Sequence, residues 1–196
     1  MANEQEIKTM NEEMIDLKKY VGSDDIQYKD IIRKKLISNP KIIHYLNDPD
    51  LDEDCPEDYF WKHIYPYYLL IETQTKKNNY ICFETSFDDV SRFNDVLKMG
   101  QIVFYIVCDS KDIKEESTGI PRHDLLASLI IDEFNWSNEF GTQIKLVSDR
   151  PVSIDSQYIG RTLIFEQLTP NSIVKQRLPL STDKGQNRKI YNYIGD

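Results

Sequence analysis

An apolar segment, followed by a polar loop and an amphipathic stretch, constrains the fold of this chain most. Residues 102–108 are β-branched, aromatic or otherwise apolar, which favours a strand. After a polar loop that we expect to be mobile, apolar residues recur over 121–134 with the spacing of one helix face. They are Leu125, Leu126, Leu129, Ile130 and Phe134. Pro121 suits the first position of a helix and Asp124 its first turn, so the sequence predicts a helix that packs on a sheet.

The other segments predict helices first and strands afterwards. The predicted helices are 7–21, 28–38, 41–46 and 56–63, and the first carries an apolar stripe of Ile7, Met10, Met14, Leu17 and Val21. Residues 22–25 are expected to end the first helix, and Asn39-Pro40 to interrupt the second. The predicted strands are 65–71, 79–84, 102–108, 143–148 and 158–168, with a long polar connection over 85–100. This order predicts an α+β fold in which helices cover one face of an antiparallel sheet.

Three regions are expected along the chain. Residues 1–25 form an N-terminal amphipathic helix, residues 26–170 an α+β domain, and residues 171–196 a basic C-terminal arm. The first helix contains too few heptads for an independent coiled coil, so we expect it to dock on its own domain or on a neighbouring protomer.

The net charge of the chain limits the kinds of partner that it can bind. A net charge of −9 argues against a general nucleic-acid binder, because phosphate contacts require clustered Lys and Arg. The arm contains five basic and two acidic residues, net +3, which leaves −12 for the rest. We expect the arm to contact an acidic neighbouring subunit or DNA, or to be a solvated terminus. No run approaches the ~20 apolar residues that span a bilayer, and residues 1–20 do not match a secretory signal, so no membrane contact is expected.

Candidate catalytic and metal-binding residues are few. The cysteines, Cys55, Cys82 and Cys108, lack the spacing of metal ligands, and the last two are expected to pack within strands of a protein in a reducing compartment. The histidines, His44, His63 and His123, are interpreted as surface or capping residues. The sequence has neither a nucleophile elbow nor a glycine-rich phosphate loop. We therefore assign no catalytic, cofactor-binding or metal-binding residue.

Two acidic patterns suggest metal sites only superficially. Residues 48–58 place carboxylates at alternate positions, as a calcium loop does, but Glu53 and Tyr59 stand where that loop needs Gly and Glu. The run is therefore interpreted as a solvated loop or an acidic contact surface. Asp109-Ser110-Lys111, with residues 88–89 upstream, would suit a metal-dependent nuclease, although the basic surface for DNA is missing.

Four short motifs carry a resemblance to a known family. They are Tyr65-Pro66-Tyr67, Tyr80-Ile81-Cys82-Phe83, Arg122-His123-Asp124 and Gly160-Arg161. In this order, with the acidic loop before them, they resemble the neck proteins of tailed bacteriophages, the head-to-tail connector and tail-terminator-like subunits. The resemblance covers roughly residues 30–169 and implies a structural virion protein without enzymatic activity or cofactor. The N-terminal helix and the basic arm depart from the family pattern.

The resemblance also implies partners. It predicts a homo-oligomeric ring of roughly six or twelve copies, with portal or adaptor protein above and tail proteins below. Genomic DNA would pass through without tight binding, and the subunit would be assembled in the host cytoplasm and reside in the virion neck. The expected assembly contacts are Lys111, Lys114, Glu115, Glu116, Arg122, Lys175, Arg177, Arg188 and Lys189, with the connection 87–98 as a further candidate. A soluble adaptor that binds one partner without forming a ring is the alternative. The loop 110–120 and the connection 87–98 could also be ordinary solvated loops.

Overall fold

The computed structural model describes residues 24–69, 78–89, 97–154 and 157–170. Its helices are α1 (Asp24–Ser38), α2 (Pro40–Leu46) and α3 (Arg122–Phe134), with a 3-10 helix at Pro56–Tyr59. Its strands are β1 (Ile64–Tyr65), β2 (Tyr80–Asp89), β3 (Leu97–Asp109), β4 (Lys145–Ser153) and β5 (Tyr158–Pro170). The predicted α+β class is confirmed.

A single extended residue separates the first two helices. The Asn39 side chain accepts a hydrogen bond from the backbone N–H of Lys41 at 3.1 Å, and Pro40 occupies the first helical position, where no N–H is needed. Asn47 ends α2 in the left-handed conformation, at φ 53°. The predicted interruption at Asn39-Pro40 is confirmed.

The five strands form one sheet in the order β1-β2-β3-β5-β4. The pairings β2–β3, β3–β5 and β4–β5 are antiparallel, whereas the two-residue β1 runs parallel to β2. The sheet is therefore mixed, and the prediction of a wholly antiparallel sheet is wrong at this edge. The fourteen residues 66–79 that separate β1 from β2 are a connection long enough for the chain to return and pair in the parallel direction.

The helices cover one face of the sheet, as predicted, and the main core lies between them. Side chains of β2, β3 and β5 pack there against the buried faces of all three helices. The Phe104 ring centroid lies 5.0 Å from that of Phe134 on α3 and 5.7 Å from that of Phe165 on β5. Of the apolar face predicted for α3, Leu126, Ile130 and Phe134 are fully buried, and the other two leucines are partly buried.

The two strand cysteines are buried, which confirms their predicted packing role. Burial raises the pKa of the Cys82 thiol to about 11 and raises the pKa of the Cys108 thiol as well. Both thiols therefore stay protonated near neutral pH, and a protonated thiol is a poor nucleophile.

Several predicted boundaries are wrong. Helix α1 already includes residues 24–27, ahead of the predicted start at Tyr28, and Asp24 and Asp25 contact Lys98 and Thr85. Strands β2 and β3 extend through 85–89 and 97–100, which had been assigned to a polar connection. The helix predicted over 56–63 shortens to one 3-10 turn, and within the described residues 65–69 the strand predicted over 65–71 is reduced to β1.

Three parts of the prediction lie outside the described residues: the N-terminal helix, the centre of the connection at 90–96 and the basic arm. The described residues next to these three segments lie at one end of the domain. Lys98 forms an ion pair with Asp24, the first described residue, and its neighbour Leu97 pairs with Pro170, the last. The chain therefore enters and leaves the described domain at the same end of the sheet.

Candidate assembly surfaces

The sheet face opposite the helices carries a small buried cluster at one end, Tyr80, Cys82, Val107 and Tyr158, and elsewhere it is amphipathic and only partly covered by the described residues. We call this surface the open face; its members are Leu97, Met99, Gln101, Val103 and Tyr105 of β3 and Thr162, Ile164, Glu166 and Leu168 of β5. Their side chains alternate with the buried ones that pack on the helices. All are partly exposed, and Leu168 is 48% exposed. A row of apolar side chains of this kind is typical of a surface that a partner covers.

Two grooves lie on the open face. One has a volume of about 410 Å³ and is lined by Met99, Val147, Glu166 and Leu168, among others. The second, of about 360 Å³, has walls that include Tyr68, Glu84, Tyr105 and Val152. Both have apolar walls with few charged groups, Lys145 and Glu166 in the first and Glu84 in the second, so each suits an apolar side chain of a protein partner.

A cluster of aromatic residues borders the second groove. Trp61 is 57% exposed, and its ring centroid lies 6.1 Å from that of Tyr67. The Tyr68 ring lies 4.7 Å from Tyr105 of the open face, and the Tyr68 backbone N–H donates to a carboxylate oxygen of Glu84 at 3.2 Å. Residues 66–69 therefore cross onto the open face after β1. Exposed aromatic side chains are enriched in protein interfaces, where they often contribute much of the binding energy.

The loop between β3 and α3, residues 110–121, is held by hydrogen bonds rather than left as the polar mobile segment that the sequence predicted. Backbone bonds join Ser110 to Gln157 at 2.6 Å and Arg122 to Ile113 at 2.7 Å. Gly119 adopts φ 71°, a conformation that glycine favours, and its N–H donates to the Glu115 carbonyl at 2.8 Å.

The Glu115 carboxylate organises the tip of this loop. It accepts hydrogen bonds from the backbone N–H and the hydroxyl of both Ser117 and Thr118, at 2.7 to 3.0 Å. These bonds, led by the one from the Thr118 hydroxyl, lower the pKa of Glu115 from its ordinary 4.5 to about 2. The ionised form therefore fixes the loop at neutral pH.

The pKa of Glu115 leads to a pH-dependent prediction. Because folding lowers this pKa, the stabilisation is fully present above pH 4.5 and is lost as pH falls through about 2. We expect Glu115→Gln to speed amide hydrogen exchange at Ser117 and Thr118 at pH 7, and the difference from the unchanged chain to shrink between those two pH values. Glu116→Gln, at the exposed neighbour, is the matched control. Equal exchange in all three proteins at pH 7 would contradict the role given to Glu115.

A buried polar network anchors the other end of the loop. Asn79, just before β2, donates from its side-chain nitrogen to the Leu46 carbonyl at 3.0 Å and to the Asp112 carboxylate at 2.9 Å. Its side-chain oxygen accepts the backbone N–H of Asp109 at 3.2 Å. Arg122 donates from Nε to the Asp112 carbonyl at 3.0 Å. One asparagine thus links helix α2, strand β3 and the loop.

His63 extends this network, and the prediction of a surface or capping histidine is wrong for it. The ring is fully buried, with Nδ1 2.8 Å from the Asn79 carbonyl and Nε2 2.5 Å from the Asp48 carboxylate. The side chain of Asp48, the first carboxylate of the acidic run, is therefore fixed by its contact with His63. His123 is also buried, and burial lowers its pKa, whereas His44 is exposed and contacts Glu53.

Arg161, from the Gly160-Arg161 motif, connects β5 to two other elements. Its Nε donates to Asp149 on β4 at 2.8 Å and its Nη1 donates to Asp124 in the first turn of α3 at 2.6 Å. The hydrogen bonds to Asp149 and Asp124 raise the pKa of Arg161. This arginine therefore fixes the start of α3 against the sheet edge.

The predicted contact residues of the loop separate into two groups. Lys111, Lys114 and Glu116 are exposed and available to a partner. Glu115 and Arg122 are buried and hold the loop in place, so their expected position on the surface is wrong. The remaining predicted contacts, Lys175, Arg177, Arg188 and Lys189, lie outside the described residues. The open face was not predicted from the sequence, although the alternation Met99, Gln101, Val103 and Tyr105 could have indicated it.

The acidic residues considered for a nuclease are not brought together. Asp88 pairs in register with Met99, ten positions from Asp109 along β3, which corresponds to about 34 Å. The Asp109 side chain instead accepts the backbone N–H of Lys111 at 3.0 Å. Among the described residues, no group of three or more His, Cys, Asp or Glu side chains is placed to hold a metal ion.

The sequence pattern of the YomW family matches residues 11–167. The chain belongs to the YomW family. YomW is a phage-derived family, named after a gene of an SPBeta-like prophage, so the phage origin implied by the resemblance is confirmed. A comparison of this YomW protein with curated proteins found no match. Within the described ranges, no helix of this YomW protein is long and apolar enough to cross a membrane.

Proposed function

We propose that this protein is a structural subunit of a phage particle that forms a ring in the neck and joins the portal to the tail around the DNA channel. The open face carries the proposal. Its apolar row and its two grooves suit a protein partner, and exposed aromatic residues border one groove. Repeated copies of one chain close into a ring when two different surfaces of each subunit meet. The open face supplies one such surface, and membership of a phage-derived family agrees with this role.

The charge of the domain favours a position beside DNA that slides past. The described residues contain 23 acidic and 13 basic side chains, a net charge of −10. Such a surface repels the phosphate backbone, so DNA could pass without tight binding. The exposed Lys111, Lys114 and Glu116 and the basic arm are candidate contacts to the portal or adaptor protein above and the tail proteins below.

Cryo-electron microscopy of particles that carry a tagged copy of the chain tests this proposal. Density for the tag in a closed ring beneath the portal is the expected result. Absence of the chain from the particle would contradict it. The open face would also suit a soluble adaptor that binds one partner. Native mass spectrometry distinguishes the two, because an adaptor would form a complex with one partner and no ring.

Removal of residues 171–196 provides a second test. We expect the truncated chain to keep its fold, because β5 completes its pairing with β3 at Pro170, and to assemble about tenfold more weakly through loss of the basic arm. Mass photometry measures assembly, and circular dichroism measures folding. A full-length variant with the five basic arm residues changed to Gln separates the effect of charge from that of length. Unchanged assembly of the truncated chain would contradict a role for the arm.

A further inference from the structure

We infer that the open face is covered by the N-terminal amphipathic helix of a second copy of this chain, residues 7–21. The inference rests on the proposed function, because it names the partner surface that would join neighbouring subunits in the ring. Four observations carry it: the length of the apolar stripe, its composition, the connection to Asp24 and the extent of the family match.

The apolar stripe matches the two grooves in length. Ile7 and Val21 are fourteen residues apart, which in a helix corresponds to about 21 Å. Met99 lines one groove and Tyr105 the other, and their separation of six residues along β3 corresponds to about 20 Å. One helix lying along the open face would therefore place apolar side chains at both grooves.

The composition of the stripe suits these shallow grooves. Met10 and Met14 occupy the middle of the stripe, between Ile7 and Leu17. Methionine is unbranched and flexible, so it fills irregular apolar gaps better than branched residues do. The open face between the grooves is itself uneven, with Val103 and Ile164 beside the polar Gln101 and Thr162.

The connection to α1 excludes the chain's own open face. Asp24 contacts Lys98, whose side chain lies on the helix-covered face of the sheet. Three residue steps join Val21 to Asp24 and span at most about 11 Å. A helix packed on the opposite face would lie about 10 Å beyond the sheet, and α1 lies about as far on the near side, so the path requires roughly 20 Å. The stripe can reach the open face of a neighbour but not its own.

The family match agrees with a shared role for this segment. It begins at residue 11, within the apolar stripe, and ends at residue 167, before the basic arm. Three of the five stripe residues, Met14, Leu17 and Val21, thus lie within the matched range.

Disulfide formation between two variants tests the inference. One full-length chain carries Met14→Cys, the other Val103→Cys, and both carry Cys55→Ser to remove the exposed native thiol. On mixing and mild oxidation we expect a disulfide-linked dimer containing one chain of each kind, at about tenfold higher yield than with Glu12→Cys, which lies on the opposite side of the predicted helix. A third variant carries both cysteines in one chain, and a bond that forms within that chain while the two single variants give no mixed dimer would overturn the inference.

Thiol labelling provides a readout that does not depend on disulfide geometry. We expect a maleimide to label Val103→Cys about tenfold faster when Met14→Asp is added to the same full-length chain, because the helix then no longer covers the site. Labelling of Lys114→Cys, on the exposed loop, should not change. A chain that gives neither the mixed dimer nor the faster labelling overturns the inference, even if microscopy places it in a neck ring. A positive result in a chain that is absent from the particle would instead overturn the neck role alone.

Discussion

Gly160→Ala is expected to destabilise the domain more than other small substitutions, by about 3 kcal/mol or more. A Cβ atom at position 160 would lie 1.8 Å from the carbonyl oxygen of Ile106 and 3.0 Å from the Cα of Val107. Both are backbone atoms of the central strand β3, so β5 would have to move away from it and lose ladder hydrogen bonds. Chemical denaturation followed by circular dichroism measures the change in the free energy of unfolding.

Gly100→Ala is the matched control for that prediction. It is also a strand glycine, but a Cβ there would meet the Phe87 ring at 3.2 Å, and a side chain can shift by a few tenths of an ångström. We expect this variant to lose about 1 kcal/mol. Similar losses for the two variants would mean that the close approach of β5 to β3 does not limit stability.

Asn79→Ala is expected to lower the free energy of unfolding by about 3 kcal/mol, equivalent to a fall of roughly 10 °C in Tm. The substitution removes the partner of the Leu46 carbonyl and of the Asp109 N–H and one donor to the Asp112 carboxylate. Buried polar groups without partners cost about 1–3 kcal/mol each, and Asn79 itself is only 1% exposed. Differential scanning calorimetry measures the shift.

Asn78→Ala is the control, since it removes the same side chain from the preceding, partly exposed position. Its effect is expected to stay within about 0.5 kcal/mol. Hydrogen exchange adds a local readout, because loss of Asn79 should also increase exchange in the 110–121 loop through Asp112. If the two variants unfold alike, the network is not what anchors that loop.

The main elements of the fold could be predicted because their patterns are local. The apolar periodicity of 121–134 and the break at Asn39-Pro40 depend on neighbouring residues alone, and both predictions are confirmed. The extension of β3 over 97–100 was missed because these residues were assigned to a polar connection, yet Lys98 is buried in the sheet. Its burial depends on an ion pair with Asp24, 74 residues away, and on contact with the Phe87 ring at 3.9 Å. Sequence spacing cannot reveal partners so distant.

The same limit applies to the candidate surfaces. Glu115 and Arg122 were expected to be contact residues because charged loop residues are usually exposed. Glu115 is buried by hydrogen bonds within the loop, and Arg122 by its contact with Asp112. His63 was expected at the surface for a similar reason, yet it lies beneath the acidic run because Asp48 and Asn79 satisfy both ring nitrogens. Whether hydrogen bonds satisfy a buried polar side chain can be judged only when the strands and loops are placed in three dimensions.

The entry and exit of the chain at one end of the sheet determine how the domain would respond to force. A load applied between residues 24 and 170 would act on the Asp24–Lys98 ion pair and on the Leu97–Pro170 end of the β3–β5 ladder. That geometry opens hydrogen bonds one after another, as in unzipping, instead of shearing a whole strand at once. A load carried through the open face would be distributed over β3 and β5 together. The domain would therefore resist tension across its sheet better than tension between its two ends.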